Sequence, residues 1–320
     1  IDDCPGESGG LGLGRTFPRV ISGGLDAPGP SYYKALLRSP PGTSLLLDAA
    51  LAAVAGENLG QDEHPDILFV SVSTTDYVGH SFGSQSQEWL EVVAHLDRAL
   101  VPFFESLEAQ VGKGNLGLVL SADHGAPPVP ECMPEAVPHG RVWHEDVLKA
   151  VEGALEPFKA TGQASVAGFA DPGLWLDLGP EVDAIAARAA VSKALLALPG
   201  IMALCDTTNP SGPYAEACRL SIVPGREPDF MLIAEPYYVF SRAKYGSTGT
   251  THGGPHHYDS HVVMGLWGPG LEEGPRNGRA DIAQLAPTVA AWLRIPPPAA
   301  AEGPALDVFK EEKKRGFWRR

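Results

Sequence analysis

Two continuous apolar segments flank a long stretch with helical spacing. They are PDILFVSVS at residues 65–73 and LGLVLS at 116–121, and apolar side chains recur every three or four positions from 86 to 111 between them. Apolar strands without alternation, joined through a helix, are typical of a parallel sheet covered on both faces. The sequence therefore predicts an α/β fold, with a mostly parallel sheet sandwiched by helices.

The pattern changes after residue 140. Helical segments near 143–159 and 180–197 alternate there with the short strand candidates SVAGFA, LWLDL, GIMALC and DFMLIA, which indicates a small α+β insertion. A further strand is predicted at 260–270, followed by a helix at 281–293 with Asp281 as its N-cap. We therefore expect four regions: a core at 1–140, an insertion or cap at 141–235, a return to the core at 236–300, and an exposed tail at 301–320.

Charge and hydropathy exclude some functions. The 320 residues include 39 acidic and 24 basic side chains, for a formal charge of −15. Such a surface repels phosphate backbones, so nucleic acid is not expected as a structural partner, although a local cationic site can still bind a small phosphorylated substrate. No run of 18 apolar residues is present, so no membrane span is expected. The oligomeric state cannot be predicted from these features.

The four cysteines do not form a zinc-binding pattern. Cys4, Cys132, Cys205 and Cys218 lack any CxxC spacing. Cys205 and Cys218 flank a turn-rich stretch, so a short disulfide loop and two free thiols are both compatible with the sequence.

Metal-capable side chains cluster next to three of the predicted strands. Asp76 and His80 follow the first strand, Asp123 and His124 follow the second, and His252 precedes the third. Ligands gather at the carboxyl ends of strands in open parallel sheets, so all five side chains can reach one rim. Each motif alone is weak, but burying all five groups without a cation would be costly.

The residue types favour zinc. Imidazole nitrogen and carboxylate oxygen are zinc ligands, and paired zinc ions can stabilise the attacking and leaving oxygens of phosphoryl transfer. Gly79, Gly125 and Gly253 adjoin ligand candidates, and glycine there would let the backbone approach a metal or substrate closely. The remaining histidines of the third motif, His256, His257 and His261, are expected to be supporting or surface residues.

Three quoted segments together carry a family resemblance. STTDYVGHSFG, SADHG and GTTHGGPHHYDSHV with its following WGPG occur in this order. The set resembles the alkaline phosphatase superfamily, in particular the phosphate-irrepressible alkaline phosphatase-like branch, which is related to type I phosphodiesterases and nucleotide pyrophosphatases. The resemblance covers roughly residues 15–300, and it implies an α/β fold with two zinc ions at a phosphoryl-binding site.

The resemblance also implies roles for individual residues. Asp76, His80 and His252 resemble the ligands of the zinc that activates water and holds the incoming group. Asp123 and His124 resemble ligands of the second zinc, which activates the nucleophile. The two-zinc site implies an in-line displacement at phosphorus.

The family's nucleophile has no evident counterpart in these 320 residues. Members use a Thr or Ser in an N-terminal stretch, which also supplies a further Asp to the second zinc and phosphate-contacting side chains. We expect this nucleophile upstream of Ile1, so that the chain resembles the C-terminal two-thirds of such an enzyme. Thr74 and Thr75 adjoin Asp76, but hydrogen bonding at a strand end is the favoured interpretation for them.

Three functions follow from these patterns. The first is hydrolysis of phosphate monoesters by a two-zinc, phospho-enzyme mechanism in the full-length parent. The second is a phosphodiesterase or nucleotide pyrophosphatase with the same metals. The third is a catalytically silent metal-binding fragment. Relatives are often exported, so a periplasmic or secreted location is expected, although no signal region is visible in the chain.

Overall fold

The computed structural model describes residues 3–242 and 249–310. The backbone divides into two compact units, each built from three segments of the chain. Unit 1 comprises residues 1–39, 75–91 and 124–261, and unit 2 comprises 40–74, 92–123 and 262–320. The four-region division expected from the sequence stays a prediction.

Helices and short strands alternate along the described residues. The helices are α1 Pro30–Leu36, α2 Pro40–Gly56, α3 Thr74–Phe82, α4 Gln87–Val111, α5 His144–Leu155, α6 Ala184–Leu196, α7 Ala215–Ser221, α8 His257–Ser260 and α9 Leu285–Leu293. The strands are β1 Leu118–Ser121, β2 Gly140–Trp143, β3 Ala164–Ala170, β4 Gly173–Leu178, β5 Ile201–Asp206, β6 Phe230–Ala234, β7 Tyr238–Ser241 and β8 Met264–Trp267. Three short 3-10 turns occupy Pro130–Cys132, Glu156–Ala160 and Ile282–Gln284.

Unit 1 contains a four-stranded antiparallel sheet in the order β3-β4-β6-β5. Helices α5 and α6 pack against each other and against strands β3 and β5. Their apolar positions recur at helical spacing, and Val151, Leu155, Val191 and Leu195 are fully buried. The Asp183 side chain accepts a hydrogen bond from the Ala186 N–H and caps the start of α6. The predicted helices and strands of 141–235 are therefore confirmed.

A second pairing in unit 1 is parallel. Strand β2 pairs with β7 from Gly140 opposite Tyr238 to Trp143 opposite Ser241. The Arg141 side chain, nearly buried, crosses this pair and donates to the Ser241 hydroxyl, the Gly249 carbonyl and both oxygens of Glu131. Through its bond to Gly249, Arg141 connects this pair to the segment three residues before His252.

Unit 2 packs helix α2 against helix α4. Leu47, Ala50 and Phe103 form the buried centre of this contact, and Val70 packs against them. Strands β1 and β8 pair antiparallel, from Leu118 opposite Trp267 to Ser121 opposite Met264. In α9, the buried Trp292 ring donates from Nε1 to the Pro269 carbonyl, 3.0 Å away.

The α/β class is confirmed, but the described strands form two antiparallel sheets and one parallel pair rather than a mostly parallel sheet. Residues 65–73 were predicted as a strand but pair with no other strand among the described residues. Phe69 is 90% exposed there, so its apolar run lacks cover on one side. Strand β1 pairs with β8 in antiparallel orientation and with no other strand among the described residues.

Both pairs of cysteines are bridged. Cys205 and Cys218 form the short loop that the sequence left open, and Cys4 forms a disulfide with Cys132 across 128 residues. Within 3–242 and 249–310, no helix is long and apolar enough to cross a membrane.

Candidate metal centre

Helix α3 presents the first two predicted ligands. Asp76 and His80 are four residues apart, so their side chains lie on one face, and the His80 Nε2 is 3.4 Å from Asp76 Oδ1. Val78 and Phe82 are buried, which fixes the rotation of the helix. Asp76 and His80 remain about one-third exposed and can reach a ligand.

Two histidines from distant parts of unit 1 join this pair. His252 Nε2 lies 3.7 Å from Asp76 Oδ1, and His124 Nε2 lies 4.0 Å from the same oxygen. Three imidazole nitrogens therefore surround one carboxylate oxygen, although 172 residues separate His80 from His252 in the sequence.

The spacing of these atoms fits a metal ion. Ligand atoms of Asp76, His80 and His252 all lie within 4.8 Å of one another. A tetrahedral zinc with bonds of ~2.0–2.1 Å would place neighbouring ligand atoms roughly 3.3 Å apart, so small side-chain shifts suffice. Asp76, His80 and His252 can hold a metal ion, and their nitrogen and oxygen donors suit zinc.

The orientation of His80 is set by its other ring nitrogen. His80 Nδ1 is 2.9 Å from the Thr250 carbonyl, which can only accept, so Nδ1 carries a proton and Nε2 is the ring nitrogen that faces Asp76. The Thr250 N–H in turn donates to the His80 carbonyl at 3.0 Å. Gly249, at φ +74°, permits this contact, since a Cβ there would lie 1.8 Å from the His80 carbonyl oxygen.

The rings of His124 and His252 stack. Their centroids are 3.4 Å apart and their planes differ by 12°. The close stack brings His124 of SADHG and His252 of TTHGG together. It also places His124 beside the Asp76, His80 and His252 group.

Asp123 is not placed in this cluster by the structure. It precedes His124 directly but belongs to unit 2, and it makes interactions of its own. Its role as a ligand stays a prediction.

The neighbouring glycines differ in their surroundings. Gly125 lies against backbone, since a Cβ there would be 2.0 Å from the Tyr258 carbonyl oxygen, and Gly253 has φ +106°. At Gly79 the nearest atom to such a Cβ is 3.9 Å away, so no close approach requires glycine there.

The other histidines of the third motif lie outside the cluster. His256 Nε2 hydrogen-bonds with the Ala234 carbonyl at 2.9 Å, which makes it a supporting residue of its loop. His257 and His261 are exposed, and their rings stack on each other at 4.5 Å.

Asp259 is a buried acid that the sequence analysis did not single out. The residue is 5% exposed, and Oδ2 accepts a hydrogen bond from the Gly254 N–H at 2.7 Å. Oδ1 has no hydrogen-bond partner among the described residues. Burial raises the pKa of Asp259 to about 6, even though the Gly254 N–H and positive charge on His256 and His124 act to lower it. An Asp within HHYDS carries no sequence signal that separates it from a surface acid.

The raised pKa of Asp259 predicts a pH dependence of folding. Its pKa in the folded chain, about 6, exceeds the ordinary 3.8, so its contribution to stability is full below 3.8 and is lost as pH rises through 6. Asp259→Asn does not titrate. The free energy of unfolding of zinc-free wild type, relative to this variant, should therefore fall by roughly 2–3 kcal/mol over that range. Urea denaturation at a series of pH values measures it, and parallel profiles would contradict the prediction.

Comparison with known families identifies the class of protein. The sequence model of the family described as "Type I phosphodiesterase / nucleotide pyrophosphatase" matches residues 41–259, more than half of the chain. The chain belongs to this family. The match contains Asp76, His80, Asp123, His124 and His252.

Two curated relatives with similar sequences are alkaline phosphatases. Alkaline phosphatase PafA of Elizabethkingia meningoseptica is 33% identical over 282 residues, which cover 84% of this chain and 50% of the relative. Alkaline phosphatase PhoV of Synechococcus elongatus is 30% identical over 286 residues, which cover 87% of this chain and 51% of the relative. The resemblance to the alkaline phosphatase superfamily is confirmed, and the chain spans about half the length of these curated relatives.

A crystal structure supports the same assignment. Wild-type alkaline phosphatase PafA superposes with a TM-score of 0.83 and 28% sequence identity, over 97% of this chain and 60% of that chain. The similarity extends over nearly the whole described backbone and confirms the fold.

Proposed function

We propose that the protein hydrolyses phosphate esters at a two-zinc site and that phosphate monoesters are its substrates. The observation that carries this proposal is the convergence of three imidazole nitrogens within 4.0 Å of Asp76 Oδ1. Family membership and the alkaline phosphatase relatives support it. When bound, zinc would supply Lewis acidity at the phosphoryl oxygens and stabilise the apical oxygens of an in-line displacement.

The chain's own residues have distinct tasks in this proposal. The Asp76 carboxylate would offset the charge of the first zinc, and His80 and His252 would supply neutral nitrogen donors to it. The Thr250 carbonyl keeps the proton of His80 on Nδ1, so that Nε2 is available as a ligand. Asp123 and His124 are proposed as ligands of the second zinc. The nucleophile stays the prediction drawn from the family resemblance, a Thr or Ser upstream of Ile1.

A second candidate is phosphodiester or nucleotide pyrophosphate hydrolysis. The name of the matching family model favours it, and the metal ligands would be the same. The groups that bind the non-bridging oxygens and the leaving group decide between the two activities, and no residue in the described part of the chain identifies a leaving group.

The two disulfides support an oxidising location. Disulfides persist in the periplasm and outside the cell and are rare in the cytosol. We therefore propose that the protein is periplasmic or secreted. A small phosphorylated substrate, rather than a nucleic acid, is the proposed partner.

The two activities and the silent alternative are separated by one set of measurements. Zinc per chain is determined on this chain and on the product of the complete gene, and both are assayed with p-nitrophenyl phosphate and bis-p-nitrophenyl phosphate. We expect zinc in both proteins, and monoester hydrolysis exceeding diester hydrolysis in the complete product. Faster diester hydrolysis would favour the second candidate. Zinc binding without any hydrolysis would favour a silent metal-binding domain, and absence of zinc would refute the proposed site.

A further inference from the structure

Asp259 is hydrogen-bonded to both loops that carry the stacked histidines. Its side-chain Oδ2 accepts from the Gly254 N–H at 2.7 Å, two residues beyond His252. Its main-chain carbonyl accepts from the Gly125 N–H at 2.8 Å, directly after His124. One residue is thus bonded next to two predicted ligands that are far apart in sequence.

The backbone around Asp259 leaves little room for movement. A Cβ at Gly125 would lie 2.0 Å from the Tyr258 carbonyl oxygen, and one at Gly254 would lie 3.0 Å from Asp259 Oδ2. The Asp259 N–H is itself bonded to the His256 carbonyl at 3.0 Å, and the Tyr258 hydroxyl accepts from the Tyr237 N–H at 3.1 Å. Asp259 is therefore fixed by its own surroundings and can fix other groups.

The third histidine is held independently of Asp259. His80 is fixed by α3 and by its two hydrogen bonds with Thr250. His124 and His252, by contrast, lie in loops, and their ring centroids are only 3.4 Å apart. A stack this close needs both loop backbones to be fixed, and the Gly125 and Gly254 bonds to Asp259 provide this.

We propose that Asp259 is a positioning residue that clasps the Gly125 and Gly254 backbones together and so places His124 and His252 for metal binding. This inference rests on the proposed metal site. Its basis is the burial of Asp259 and the two hydrogen bonds, and it gives Asp259 no contact with the metal or with substrate. The clasp supplies the preorganisation that a metal site on loops otherwise lacks.

Two substitutions at Asp259 distinguish the effect of its hydrogen bond with Gly254 from the effect of its negative charge. Asp259→Leu has a similar branched shape, but its side chain accepts no hydrogen bond. The Gly254 bond is lost while the main-chain bond to Gly125 remains, so the two loops are no longer joined and zinc affinity of the full chain should fall by about 10- to 100-fold. Asp259→Asn keeps an oxygen acceptor for Gly254 and removes the charge, so it should retain most of the affinity. Zinc affinity is measured by chelator competition, and the visible spectrum of bound Co²⁺ reports the coordination geometry without any assay of activity.

A matched control is available at Asp229. Its Oδ2 accepts from the Leu176 N–H at 2.7 Å, so it also fixes backbone in unit 1, but among strands β4 and β6 rather than the histidine loops. Asp229→Leu should lower the urea midpoint and leave zinc affinity and the Co²⁺ spectrum unchanged. If zinc binding weakens only because the fold is destabilised, Asp229→Leu and Asp259→Leu should both lose zinc affinity. If Asp259 positions the histidines, zinc affinity and the Co²⁺ spectrum should change in Asp259→Leu alone.

Each result decides for or against the clasp. Weakened zinc binding in Asp259→Leu, with recovery in Asp259→Asn, supports it. Unchanged zinc binding in Asp259→Leu overturns it, as does an Asp259→Asn variant that binds as weakly as the Leu variant. If Asp259→Leu does not fold, Asp259→Ala takes its place, because Ala also lacks a side-chain acceptor for the Gly254 N–H. Weakened zinc binding with an altered Co²⁺ spectrum in Asp259→Ala supports the clasp, and wild-type values for both overturn it. If wild type binds no zinc, the proposed function itself fails, which is a different outcome from a failure of the clasp alone.

Discussion

Replacing Asp76 with Asn is expected to abolish tight zinc binding at the proposed site and, with it, the phosphate-ester hydrolysis that we propose for the complete gene product. Asp76 Oδ1 is the atom on which His80, His124 and His252 converge, at 3.4–4.0 Å. The Asn amide keeps the shape of the side chain but presents a neutral oxygen to a dication. The loss of zinc affinity should exceed the ~10- to 100-fold that removal of a partner outside the coordination shell costs.

The Asp76→Asn test needs a variant with the same chemical change elsewhere. Asp97→Asn serves, because Asp97 is exposed on α4. Zinc content by mass spectrometry and zinc affinity by chelator competition are compared for wild type and both variants, together with the urea midpoint. Asp76→Asn should lose zinc and keep its fold, while Asp97→Asn should match wild type. Wild-type zinc affinity in Asp76→Asn would refute Asp76 as a ligand.

The spacing of apolar and capping residues predicted the helices, because the hydrogen bonds of a helix join residues that are close in sequence. Helices α4, α5 and α6 were found from the spacing of apolar residues, and their bounds differ from the predicted ones by a few residues. Asp281 was predicted as an N-cap and forms a capping box with Gln284, although the first turn is 3-10 rather than α-helical. Such signals depend on hydrogen bonds within a few residues, so sequence alone reveals them.

Pairing between distant strands could not be read in the same way. The continuous apolar run at 65–73 predicted burial on both faces, but Ile67, Leu68 and Phe69 are exposed at 49%, 40% and 90%. Hydrophobic pattern records what a segment would bury and does not identify the partner. The sequence therefore did not predict that β1 pairs with β8, or that the two strands run antiparallel.

The candidate ligands could be singled out from sequence for a physical reason, and their roles, including that of Asp123, stay predictions. A metal requires specific donor types, so Asp76, His80, His124 and His252 were recognisable from chemistry and motif order before any distance was known. The residues that hold these candidate ligands in position could not be recognised from the sequence. Thr250 acts through a backbone carbonyl and Asp259 through an ordinary loop acid, and neither role leaves a residue-type signal.

The two disulfides are expected to contribute unequally to stability. Cys4–Cys132 closes a loop of 128 residues and Cys205–Cys218 one of 13. In the chain-entropy account a longer closed loop restricts the unfolded state more, which gives about 5 kcal/mol for the first bridge and about 3 kcal/mol for the second. Replacing both cysteines of a bridge with Ala, one bridge at a time, and measuring urea unfolding gives the comparison. Equal losses, or a larger loss at Cys205–Cys218, would contradict it.

The longer bridge should also affect the metal centre, and the shorter one should not. Cys4 anchors the N-terminal segment in which the Gly6 carbonyl accepts a hydrogen bond from the Gly249 N–H at 2.6 Å. Gly249 precedes Thr250, whose carbonyl orients His80, so loss of Cys4–Cys132 removes a constraint two hydrogen bonds away from a ligand. Cys205–Cys218 instead joins β5 to α7. Zinc affinity should therefore fall in the first double variant and stay at the wild-type level in the second. Unchanged zinc affinity in the variant without Cys4–Cys132 would show that the N-terminal segment does not support His80.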